Sequence, residues 1–232
     1  MWRGWPVCWS GISCVGRRLE MREPISGIVL AGGKSRRMGQ DKTQIRLESG
    51  LSLLEQAAAR MTEVVDEVII VTAGSLGNVP NVRWASDVYQ GAGPLGGIYA
   101  GLLACTWSHA LVVACDMPFL NVDLLRYMAG VPRDYDVLLP CLARGVEPLH
   151  AIYSKACLEP ARDLLEAGEY CILDLYERVR VRYVSPEEIA LYDPDGRSFF
   201  NINTPDQLRQ ARNMSRRILE RREEHVGARF GR

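Results

Sequence analysis

Residues 28–42 read Ile28-Val29-Leu30-Ala31-Gly32-Gly33-Lys34-Ser35-Arg36-Arg37-Met38-Gly39-Gln40-Asp41-Lys42. Ile28 to Leu30 is a short, uninterrupted apolar run, the mark of a parallel strand buried on both faces. Gly32 and Gly33 follow at once, where the backbone must turn tightly and approach another group closely. Lys34, Arg36, Arg37 and Lys42 then cluster around a third glycine, Gly39. A strand opening into a glycine-rich loop studded with cations is suited to holding phosphates, because bare N–H groups cradle the oxygens while the cations neutralise them. Lys34 and Arg36 fit this role or a simply solvated one.

Two common phosphate motifs are excluded. Gly33-Lys34-Ser35 lacks the upstream glycine that the Walker loop requires, and residues 28–42 contain no G-x-G-x-x-G. The string instead resembles the L-A-G-G-x-S-x-R-M-G-x-D-K signature of the molybdenum cofactor guanylyltransferases. Leu30, Ala31, Gly32, Gly33, Ser35, Arg37, Met38, Gly39, Asp41 and Lys42 fill every defined position. The resemblance implies a nucleotide site on Leu30, Ala31, Gly32, Gly33 and Lys42, with Arg37 and Lys42 as the catalytic cations. It also implies a single three-layer α/β domain with a mostly parallel, Rossmann-like sheet, of the nucleotide-diphospho-sugar transferase type.

Composition narrows the field. The chain has 232 residues, a one-domain length, with 28 basic and 28 acidic residues. Zero formal charge argues against bulk attraction to nucleic acid or anionic membrane, so phosphate affinity must be local. No apolar run approaches the roughly 20 residues needed to span a bilayer. The seven cysteines (Cys8, Cys14, Cys105, Cys115, Cys141, Cys157, Cys171) are odd in number and form no C-x-x-C. They read as reduced, small core residues of a cytoplasmic protein. Residues 1–24 form an extension, disordered or assigned to the chain by too early a start, with Met21 as the alternative first residue. A nucleotidyltransferase domain is expected over 25–212, and 213–232 as a charged helix end and tail.

Along the chain, apolar strands alternate with helices. Thr43–Leu47 looks like a strand, Glu48–Gly50 a turn, and Leu51–Val64 a helix with Leu53, Leu54, Ala57, Ala58 and Met61 as its apolar stripe. Strands follow at Val68–Val71 and Val82–Trp84. A glycine-rich loop at Gly91–Gly97 launches a helix near Ile98–Ala104. Further strands are expected at Ala110–Ala114 and Val137–Leu139, with a helix at Asn121–Met128 between them. Ala143-Arg144-Gly145 reads as a turn before Leu149–Tyr153, so a hairpin or insertion is expected there. Lys155–Ala167 reads as a helix and Val179–Val184 as a strand. Thr204 and Pro205 have the pattern of an N-cap and first residue of a last helix. Such alternation predicts a parallel sheet covered on both faces, with ligands at the carboxyl ends of its strands.

Asp116, in Ala114-Cys115-Asp116-Met117-Pro118, directly follows a predicted strand, where a carboxylate suits either a magnesium–triphosphate site or an Asx-turn. Asp87 lies between a strand and Gly93-Pro94-Leu95-Gly96-Gly97; it suits a turn, a guanine's paired donors or a ribose hydroxyl. His150 in Glu147–Tyr153, and Asn201 and Asn203 on either side of Ile202, are weak signals alone. By the resemblance, Asp116 is the Mg2+ ligand and a catalytic residue, Asp87 and Gly96 contact the nucleotide, and His150, Asn201 and Asn203 face the pterin-side substrate. Thr72 stands where some relatives carry a nucleotide-contacting asparagine, and Asp206-Gln207 replaces an acidic pair.

The activity so implied is transfer of GMP from GTP to Mo-molybdopterin, with release of pyrophosphate. Molybdopterin-delivery proteins and apo-molybdoenzymes would be transient partners. A cytidylyltransferase would carry L-A-A-G in the first loop, a sugar-phosphate transferase a longer loop pattern, and a non-catalytic adaptor would lack Lys42 or Asp116.

Overall fold

The computed structural model describes residues 22–31, 42–48, 50–73 and 79–230. Gly32, Gly33, Lys34, Arg36, Arg37 and Gly39 lie outside the described residues, as does Met21.

The described residues build an eight-stranded sheet with helices on both faces. In chain order the elements are β1 (Ser26–Leu30), α1 (Leu53–Thr62), β2 (Glu67–Thr72), β3 (Arg83–Ser86), α2 (Gly93–Ala104), β4 (His109–Ala114) and α3 (Val122–Gly130). There follow β5 (Val137–Leu142), β6 (Gly145–Val146), β7 (His150–Ser154), α4 (Leu158–Glu166), α5 (Ile172–Tyr176), β8 (Val181–Val184), α6 (Pro186–Ala190) and α7 (Pro205–Phe230). The strand order is β3-β2-β1-β4-β7-β5-β6, with β8 also on β5. The β3-β2-β1-β4 half is parallel throughout, and β8 runs parallel to β5. Strand β7 is antiparallel to both β4 and β5, and β6 closes a hairpin on β5. The turn read at Ala143–Gly145 is this hairpin.

Period-two alternation divides the core. Val29, Val68, Ile70, Leu111, Val113, Leu138 and Ile152 pack on one face with the apolar sides of α1 and α3. Ile28, Leu30, Ile69, Val71, Val112, Leu139 and Tyr153 pack on the other, against α2, α4 and α5. A third cluster joins Ile45, Leu47 and Leu53 to Ile202, Leu208 and Ala211. The five described cysteines are free, and Cys105, Cys115 and Cys157 are buried. Burial pushes the Cys105 thiol up to about 11 and that of Cys157 to about 12, so both act as small core residues. No helix among the described residues is long and apolar enough to cross a membrane.

Two expectations are corrected. Thr43–Leu47 is not a strand: Lys42–Gln44 forms a 3-10 turn and Arg46 makes only an isolated bridge to Ser52. Ile45 and Leu47 are apolar because they fill the third cluster. Gly91–Gly97 is not all loop, since α2 already begins at Gly93, with Pro94 in its first turn. Its glycines allow close packing on β1. A Cβ on Gly97 would meet Leu30 Cδ2 at 3.2 Å, and one on Gly101 would meet Ile28 Cδ1 at 2.6 Å. At the C-terminus, α7 crosses residue 212 without a break.

Candidate functional site

Register brings the motifs to one edge. Leu30 is level with Val71 on β2 and Ala114 on β4, and Val71 with Ala85 on β3. The ladder continues past the strand ends: Ala31 N donates to Val71 O at 2.9 Å, Cys115 N to Leu30 O at 3.1 Å, and Asp87 N to Thr72 O at 3.4 Å. Ala31, Thr72, Asp87 and Cys115–Asp116 therefore share the carboxyl edge of the parallel half-sheet, where open α/β folds bind ligands. The glycine-rich segment leaves this edge at Ala31 and rejoins the described chain at Lys42, the first residue of the 3-10 turn.

Asp87 and Gly96 meet directly. A Cβ at Gly96 would lie 3.3 Å from Asp87 Oδ1 and 3.1 Å from Tyr89 O, so a side chain there would crowd the carboxylate. Asp87 Oδ1 accepts from Tyr89 N at 3.1 Å. Burial raises the Asp87 pKa, only partly offset by that hydrogen bond. A ligand presenting donors would favour the charged carboxylate.

Asp116 is half-buried after β4, and its carbonyl accepts from Ile202 N at 3.0 Å. This bond docks the Phe199–Asn203 segment beside it. Ile202 is buried while Asn201 and Asn203 on either side are not, so both asparagines lie on the side of the segment facing away from the core. Thr204 Oγ1 accepts from Gln207 N at 3.2 Å, and Gln207 Oε1 accepts from Asn203 N at 2.7 Å. Gln207 thus serves the start of α7 where an acid would otherwise stand.

His150 is fully buried. Its ring lies 4.6 Å from that of Phe199, and neither ring nitrogen has a hydrogen-bond partner. It packs against the start of the Phe199–Asn203 segment and has no exposed surface.

Sequence reading passed over Glu147 and Arg144. Antiparallel pairing sets Val113 opposite His150, and Ala114 N donates to Leu149 O at 3.2 Å. Glu147 lies two residues before Leu149 and Asp116 two after Ala114, both just beyond the strand ends. Burial raises the Glu147 pKa, the Arg144 ion pair opposes the rise, and the charge of Asp116 adds to it. The Glu147-Pro148-Leu149-His150 string carried the signal, but only the pairing of distant strands gives the glutamate its neighbour.

A profile described as the MobA-like NTP transferase domain matches residues 27–181. A probable molybdenum cofactor guanylyltransferase of Pelotomaculum thermopropionicum is 39% identical over 82% of this chain and 93% of its own length. The molybdenum cofactor guanylyltransferase of Desulfosudis oleivorans is 36% identical over 82% of this chain and 95% of its own. The chain belongs to the molybdenum cofactor guanylyltransferase family. The crystal structure of molybdopterin-guanine dinucleotide biosynthesis protein A from Archaeoglobus fulgidus superposes with a TM-score of 0.74. That structure is 29% identical, and the match covers 83% of this chain and all of that one.

Proposed function

We propose that this enzyme transfers GMP from GTP to the terminal phosphate of Mo-molybdopterin, forming the guanine dinucleotide cofactor and pyrophosphate. The observation that carries this reading is the single sheet edge that gathers Ala31, Asp87, Asp116 and the Phe199–Asn203 segment. The pterin phosphate oxygen attacks the α-phosphorus of GTP in line. A new P–O bond forms, the bond to the bridging oxygen breaks, and its electron pair leaves with pyrophosphate. That nucleophile is already anionic, so no general base is needed, and positioning and charge neutralisation supply the catalysis.

Leu30 and Ala31 deliver the chain to the donor edge, and the Gly32–Gly33 backbone cradles the phosphates. Lys42 and Arg37 neutralise the leaving pyrophosphate, lysine as a point charge and arginine as a fork. Asp87, kept clear by Gly96, accepts from the guanine or the ribose. Asn201 and Asn203 face the pterin side, and His150 holds their segment in place through Phe199. The described residues contain no group of three or more His, Cys, Asp or Glu able to hold a metal. Asp116 suits Mg2+, which takes one or two carboxylates and completes its shell with phosphate oxygens and water. Bound there, the ion would neutralise charge on the phosphate oxygens. A molybdopterin-delivery protein and the receiving apo-enzymes are the partners such a reaction calls for.

The test is turnover with molybdopterin and each of the four NTPs in the presence of magnesium. Guanine offers N1–H and an amine as donors, while cytosine N3 and adenine N1 are acceptors that a carboxylate would repel. A site that pairs with a substrate's donors rejects analogues that leave its groups unpaired, by up to ~10⁴-fold. We expect kcat/KM for GTP to exceed that for CTP by at least about a hundredfold. Comparable CTP turnover would overturn the guanylyl assignment. Asp116→Asn is expected to cost ~3–4 kcal/mol of transition-state stabilisation with the melting temperature unchanged; a kcat within about threefold of wild type, under 1 kcal/mol, would remove the metal assignment.

A further inference from the structure

We propose that Arg144 and Glu147 are a positioning pair for the acceptor side of this reaction, fixing the Phe199–Asn203 segment relative to Asp116. This inference rests on the nucleotidyl-transfer reading above. A single guanidinium nitrogen, Arg144 Nη2, donates both to Glu147 Oε2 at 3.2 Å and to Phe199 O at 2.7 Å. From Phe199 the chain runs three residues to Ile202, whose N–H donates to Asp116 O. From Glu147 the route back to Asp116 is just as short. Glu147 O accepts from His150 N at 3.3 Å, and Leu149 O, within that turn, accepts from Ala114 N at 3.2 Å, two residues before Asp116. The ring of His150, at the end of that turn, packs under Phe199. Arg144 thus closes a circuit whose members are Asp116, Ile202, Phe199, Arg144, Glu147 and His150.

The pair differs from an ordinary surface ion pair, which is worth little. The Glu147 side chain is only 14% exposed and faces a like charge on Asp116, so it depends on its arginine. Arg144, at 60% exposure, lies on the β5–β6 turn and spans to a backbone carbonyl fifty-five residues away. Strand order separates this circuit from the donor side: β1, β2 and β3 lie across β4 from β7, β5 and β6. Loss of the pair should therefore loosen the acceptor wall and leave GTP binding in place.

The experiment measures the KM for molybdopterin and for GTP in wild type, Arg144→Ala, Arg144→Lys and Glu147→Gln, together with amide hydrogen exchange at Phe200–Asn203 in each. Arg144→Ala is expected to raise the KM for molybdopterin about tenfold, the scale of one charge-assisted hydrogen bond, with the KM for GTP changed less than about twofold. Arg144→Lys, which keeps a donor for both oxygens, should recover most of that loss, and Glu147→Gln should move the same KM in the same direction by less. Exchange at Phe200–Asn203 should quicken in Arg144→Ala while the melting temperature holds. Equal rises in both KM values, an unchanged KM for molybdopterin, or unchanged exchange would overturn the pair. Absence of wild-type transfer from GTP would instead overturn the underlying activity, and the exchange measurement would still judge the pair.

Discussion

His150 has no exposed surface and no partner for either ring nitrogen, so burial lowers its pKa from 6.5 to about 4. The ring is therefore neutral near pH 7. Its titration has a stability consequence with a definite sign. Below pH 6.5 the unfolded chain takes up a proton that the folded one refuses, so this group's contribution is present above pH 6.5. It is lost as pH falls from there towards about 4. His150→Leu, close in volume, removes the titration and both unpartnered nitrogens. Replacing such a group by an apolar one of like shape is nearly neutral or stabilising. Denaturant unfolding across pH 4–7 is expected to show a shallower loss of stability in His150→Leu than in wild type; identical slopes would show that the imidazole finds a partner. At this scale the sequence was informative about residue type and silent about orientation. A histidine among Leu149, Ala151 and Ile152 reads more readily as core than as catalyst, and its full burial against Phe199 is what the sequence could not give.

The packing of α2 against β1 depends on two glycines, Gly97 in the stretch that reads as a loop and Gly101 inside the predicted helix. A Cβ at position 101 would stand 2.6 Å from Ile28 Cδ1, 2.8 Å from Cγ2 and 3.0 Å from Cγ1. Ile28 is fully buried and branched close to its backbone, so it has little room to give. Gly101→Ala gains up to ~1 kcal/mol of helix propensity. Overpacking of this kind costs ~1–3 kcal/mol, and the contacts below 3 Å put this site at the upper end. A net loss of ~1–2 kcal/mol is expected, read as a lower denaturant midpoint. Ile28→Val in the same chain should recover part of it by removing Cδ1, and a strictly additive double mutant would show that the clash is relieved elsewhere. Glycines also explain the misread boundary. Gly93, Gly96 and Gly97 lower local helix propensity, and tertiary packing overrides it. The strands were legible because burial on two faces leaves unbroken apolar runs, as in Ile28–Leu30 and Ala110–Ala114. Thr43–Leu47 imitates such a run because Ile45 and Leu47 serve another cluster.

Across the whole molecule, the third apolar cluster joins the two sides of the site. Ile45 and Leu47 follow the glycine-rich segment, Leu53 opens α1, Ile202 sits between Asn201 and Asn203, and Leu208 and Ala211 of α7 close over them. The donor edge could be foreseen from sequence, since each of its residues directly follows an apolar run. This junction could not, because it joins residues some 160 positions apart, Ile45 with Ile202 and Leu208, through packing alone. The arrangement makes α7 a strap whose first turns matter most. Leu208 is 8% exposed, and Leu208→Ala removes most of a buried side chain at this junction. Buried leucines cut to alanine lose ~2–5 kcal/mol, and the lower half applies where a rim residue lets the site relax. For a chain of this size each kcal/mol lowers the melting temperature by about 2–4 °C, so a fall of roughly 5–10 °C is expected. Because Ile202 sits in the same cluster and bonds to Asp116 O, the surviving folded protein should also transfer GMP more slowly at saturating GTP. A variant that melts as wild type does would show that α7 contributes nothing at Leu208. One that melts lower yet keeps full kcat when assayed well below its transition would show that the cluster holds the fold without tuning the site.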